Sequence, residues 1–113
     1  MEIIVRSPNV PVSQALEEHC QARARRAVEP FAEQIGRVEI VMVDVNGPKK
    51  GLGQVCRVFV ELTHGGQLIF VSGARDFYSA VSRATFGAGR RLARVLARAR
   101  DRAQPRVRAV GVA

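Results

Sequence analysis

The chain of 113 residues has no tryptophan, one tyrosine, two cysteines and two lysines. Each scarcity excludes something. Cys20 and Cys56 are too few for a disulfide framework, and with the lone histidines His19 and His64 they make no metal set. A reduced, cytoplasmic compartment is the expectation. No apolar run approaches the about 20 residues of a membrane span, so no membrane partner is expected. The start, Met1 to Arg6, has an acid at position 2 and only a short apolar stretch, unlike a secretory signal. The glycines form no nucleotide loop. Gly51-Leu52-Gly53 lacks the third glycine of the dinucleotide pattern, and Gly47 to Lys50 lacks the phosphate-loop spacing and its Ser or Thr. No carboxylate pair stands out. Neither an enzyme nor a cofactor is expected.

Acidic residues are missing from one region in particular. Residues 1–76 carry nine basic and nine acidic side chains, whereas residues 77–113 carry nine arginines against Asp101 alone. The whole excess of +8 therefore sits in the last third. A genome rich in G and C would explain why arginine outnumbers lysine 16 to 2. It does not explain why the acids vanish from one segment. A polyanionic partner follows, with nucleic acid ahead of anionic lipid.

What is present is enough for one folded domain: 47% of residues are hydrophobic and 25% charged. Glu2 to Arg6 reads as a strand, and Ser7-Pro8-Asn9 as a turn. Ser13 is a good N-cap for a helix over about 14–29, whose apolar set is Leu16, Cys20, Ala24, Ala27 and Val28. Pro30 predicts a break or a restarted turn. Residues 37–46, 55–62 and 67–72 alternate as strands, and Thr63 to Gly66 reads as a hairpin turn. Asp76 caps a last helix running to about Arg102, with Val81, Ala84, Ala88, Leu92, Val95, Leu96 and Ala99 on its apolar arc. The fold class is α+β in the order β-α-β-β-β-α, one four-stranded sheet with both helices packed on one face. The domain spans 1–103, and 104–113 reads as a mobile C-terminal tail.

On a helical wheel at roughly 100° per residue, Arg83, Arg90, Arg94 and Arg98 share an arc of roughly 80°, with Arg91 close by. Like charges one turn apart repel, so a row without intervening Glu suggests a polyanion that relieves the repulsion. Guanidinium suits phosphate because its planar fork donates two parallel hydrogen bonds. The first helix adds Arg23, Arg25 and Arg26, with Arg23 and Arg26 beside its apolar face, Arg25 pointing more outward, and Glu17, Glu18 and Glu29 partly neutralising them. Lys49 and Lys50 sit in a glycine-flanked loop that can reach phosphate or stand simply solvated. The second unusual feature is the outer sheet face, where Val41, Val43, Phe59, Ile69 and Val71 would point away from both helices. A second copy of the chain, the tail from Gln104 or another protein could cover it.

Several segments together resemble the ribosome hibernation-promoting factor family, which includes ribosome-associated inhibitor A. Val12-Ser13-Gln14-Ala15-Leu16-Glu17-Glu18 resembles the start of its first helix. His64-Gly65-Gly66-Gln67-Leu68 resembles its glycine turn, and Asp76-Phe77-Tyr78-Ser79-Ala80-Val81 its most recognisable motif. Arg90, Leu92, Arg94 and Arg98 match its basic last helix. The resemblance implies a fold similar to a double-stranded-RNA-binding domain. It implies binding to the small ribosomal subunit and its RNA, in the channel for messenger and transfer RNA, and hence translation inhibition in stress. Arg23, Arg26, Arg90, Arg94 and Arg98 are the residues it carries over. Two alternatives stay open: a protein-interaction or self-associating module working through the apolar sheet face, and a non-specific binder of duplex RNA.

Overall fold

The computed structural model describes residues 1–45 and 53–103. Lys49, Lys50 and the segment 104–113 lie outside the described residues. Strand β1 spans Glu2–Arg6, helix α1 Gln14–Val28, β2 Ile35–Asp44, β3 Gln54–Leu62, β4 Gln67–Ala74 and helix α2 Phe77–Ala103. One four-stranded sheet results, in the order β1-β2-β3-β4. β1 runs parallel to β2, and the other neighbours are antiparallel. A parallel pair needs a crossover, and α1 supplies it.

The alternation in the sequence decides which face is covered. Val38, Ile40 and Met42 of β2 and Cys56, Val58 and Val60 of β3 are buried beneath the helices. Above them α1 places Leu16, Cys20, Ala24 and Val28, while α2 places Ala80, Val81, Ala84, Ala88 and Leu92. Both cysteines are small core residues, and burial pushes their thiols up to about 11 for Cys20 and about 12 for Cys56. Ser13 caps α1, its Oγ accepting from the Leu16 amide at 3.1 Å. Pro30 restarts the chain as 3-10 turns over Glu29–Gln34, kinked at Phe31, whose φ of −117° and ψ of 20° are not helical. The β3–β4 turn holds Gly65 and Gly66 at φ +89° and +93°, a region that disfavours other residues.

Several boundaries differ from expectation by one or two residues, two of them for a visible reason. β2 begins at Ile35 rather than Arg37, because Ile35 finds Leu62 as a partner across a register shift. β4 continues to Ala74, where Gly73 and Ala74 still oppose Val55 and Gln54.

Candidate nucleic-acid interface

Helix α2 is 27 residues long and carries no acid before Asp101. Its start is fixed by Asp76, whose Oδ1 accepts from the Ser79 amide at 2.8 Å and whose Oδ2 accepts from the Ser79 hydroxyl at 2.9 Å. These bonds hold the Asp76 carboxyl below its ordinary value of 3.8.

The two helices lie parallel. Near their N-terminal ends, His19 Nε2 sits 3.1 Å from both the Tyr78 carbonyl oxygen and the Ser82 hydroxyl. Eight residues on, Ala27 meets Gly89 so closely that a Cβ on Gly89 would lie 3.0 Å from the Ala27 carbonyl oxygen. Between and beyond these contacts runs a cleft of about 380 Å³, lined by Arg23, Arg26 and Ala27 of α1 and by Thr85, Phe86, Gly89, Arg90 and Ala93 of α2. The parallel packing thus brings three of the sequence-predicted arginines, Arg23, Arg26 and Arg90, to one cleft. Arg94 and Arg98 follow on the next exposed turns of α2.

Arg83 and Arg91 turn the other way. Arg83 Nη1 lies 3.4 Å from the Gly73 carbonyl oxygen, and Arg91 Nη1 lies 3.5 Å from that of Ile69. The match is one of pitch: eight helical residues rise roughly 12 Å, and four strand residues span roughly 13 Å. β4 is the edge strand of the described sheet, so these long bonds cover carbonyl groups that no other described strand pairs.

The arginines of the helix edges are not drawn into ion pairs among the described residues. Among the described residues the ion pairs are Arg6 with Glu39 and Arg37 with Glu61, both on the sheet. Among the described residues no carboxylate lies within ion-pair distance of Arg23, Arg26, Arg90, Arg94 or Arg98. The contact that does occur is Arg90 over the Phe86 ring, 5.7 Å from its centroid. Phe86 was not among the sequence-predicted site residues. Its signal was available: on the wheel it falls roughly 150° from the centre of the apolar arc, one turn before Arg90.

The outer sheet face is as the alternation predicts. Ile69 is 46% and Val71 52% exposed, while Val41, Val43 and Phe59 are half-buried. Arg57 interrupts this patch, opposed by Val41 on one side and Val71 on the other. No group of His, Cys, Asp and Glu able to hold a metal occurs among the described residues. No described helix is long and apolar enough to cross a membrane.

A four-stranded mixed sheet roofed by two helices in this order is the fold of ribosomal-interface proteins. A ribosomal subunit interface protein from Coxiella burnetii superposes with a TM-score of 0.73 at 22% identity, over 86% of this chain and 99% of that one. The N-terminal domain of Protein Y from Thermus thermophilus gives 0.68 at 18% identity, over 84% of this chain and 99% of that one. The family model described as sigma 54 modulation protein / S30EA ribosomal protein matches residues 3–102, and the chain belongs to that family. The family is one of ribosome-associated factors rather than enzymes. A comparison with curated proteins gave no match.

Proposed function

We propose that the protein binds the small ribosomal subunit through its RNA, and that the bound domain excludes messenger and transfer RNA and so silences translation. The observation that carries this reading is the row of five arginines, Arg23, Arg26, Arg90, Arg94 and Arg98, on adjacent edges of two parallel helices, with no carboxylate partner among the described residues. Such a row is under its own repulsion until phosphates neutralise it. The contacts are with the backbone of the RNA, since a helix cannot enter the deep, narrow groove of an A-form duplex to read bases. Lys49 and Lys50 are proposed to extend the same contact.

Purified small subunits in a sucrose gradient test the reading. The wild-type chain co-sediments. The combined change of Arg23, Arg90, Arg94 and Arg98 to Glu releases it into the top fractions, and programmed translation recovers in parallel. Co-sedimentation that survives the four changes contradicts the reading.

The exposed Ile69 and Val71 favour a second reading, self-association through the outer sheet face. A monomer by light scattering at high concentration excludes it.

A further inference from the structure

Phe86 contributes nothing to the core. At 61% exposed it is the most exposed of the large hydrophobic side chains among the described residues. It stands on the helix–helix side of α2 and forms one wall of the cleft between α1 and α2. Small residues line that cleft beside it: Ala27, Gly89 and Ala93. Arg23, Arg26 and Arg90 border it with three positive charges. Its volume of about 380 Å³ lies within the roughly 300–1,000 Å³ of small-ligand sites.

An aromatic wall within a ring of guanidinium groups has the chemistry of a nucleotide site. A base has a flat π-face that stacks on phenylalanine, and its flanking phosphates suit arginine. Arg90 already lies against the ring, 5.7 Å from its centroid, so cation, ring and base would form one continuous stack. A base within a duplex cannot use such a wall, because its two faces are occupied by its neighbours.

We infer that this cleft takes one unstacked nucleotide of a single-stranded RNA segment, with its base against Phe86 and its phosphates on Arg23, Arg26 and Arg90. The inference rests on the reading of the helix edges as RNA-facing and adds the kind of RNA: unpaired, with a base turned out toward the protein.

Fluorescence anisotropy with a short labelled single-stranded RNA tests it. Phe86→Ala weakens binding by about tenfold, the usual effect of losing one aromatic stacking partner. The salt dependence stays as steep as in the wild type, since no phosphate contact is lost. Phe86→Trp restores the affinity. A strand of equal length with abasic sites binds the wild type about as weakly as the intact strand binds Phe86→Ala. The side chain is exposed, so both variants should melt with the wild type, and circular dichroism checks that. Equal binding of wild type and Phe86→Ala, or of intact and abasic strands, overturns the stacked base. It leaves the phosphate contacts standing if the salt dependence is steep and ribosomes are still bound. A wild type that binds neither RNA nor ribosomes overturns both readings. Displacement of the strand by micromolar AMP overturns the assignment to RNA in favour of a free nucleotide.

Discussion

Gly87 and Gly89 occupy interior positions of a long helix, where glycine costs about 1 kcal/mol relative to alanine. Their reason lies in what approaches them. A Cβ on Gly87 would stand 2.2 Å from two ring atoms of Phe70, so α2 rests directly on that ring. A Cβ on Gly89 would press on the Ala27 carbonyl oxygen at 3.0 Å. Gly87→Ala should therefore lower stability by about 1–2 kcal/mol despite its better helix propensity, because Phe70 must swing out of its packing. Urea unfolding measures this. The loss should shrink in a Phe70→Leu background, and a Gly87→Ala variant more stable than the wild type would refute the close seat. Residue roles of this kind were not legible in the sequence. A sequence shows glycine within a helix only as a weak point, and Phe70 is 17 positions away and meets Gly87 only across the fold. The cysteines were legible, since both fall on the inward side of a clear periodicity.

The elements themselves follow from patterns short enough to read locally. α1 starts at its serine cap, α2 follows its aspartate cap, and the strands follow their alternation. Less legible was the direction each arginine of α2 takes. A wheel puts Arg83 and Arg90 side by side, but the free edge of β4 draws Arg83 and Arg91 to one flank. The parallel course of α1 draws Arg90 to the other. Phe86 escaped notice because a wheel marks it only as lying off the arc, and its cleft needs both helices. The start of α2 carries a pH dependence. The Asp76 carboxyl, held low by Ser79, contributes stability that is present above its ordinary value of 3.8 and is lost as pH falls through its folded value. Asp76→Ala should melt below the wild type at neutral pH, and the gap should close in acid. Thermal melts followed by circular dichroism across pH check this, and a gap unchanged in acid would contradict the cap.

Over the molecule as a whole, charge and fold divide the labour. The sheet carries the described ion pairs, whereas the arginines on the helix edges form none among the described residues. The fold holds those edges side by side, which turns a compositional excess into a surface. That excess was legible from the sequence alone. The meeting of Arg23 and Arg26 with Arg90 was not, because it depends on the approach of Ala27 to Gly89. The affinity of the wild-type chain for small ribosomal subunits, measured over a range of salt concentrations, tests the central claim most directly. Five phosphates neutralised by Arg23, Arg26, Arg90, Arg94 and Arg98 predict that log K falls with log salt at a slope of about −4, and that each Arg→Gln change lowers the steepness by about one. A slope of about −1, unchanged by those substitutions, would contradict it.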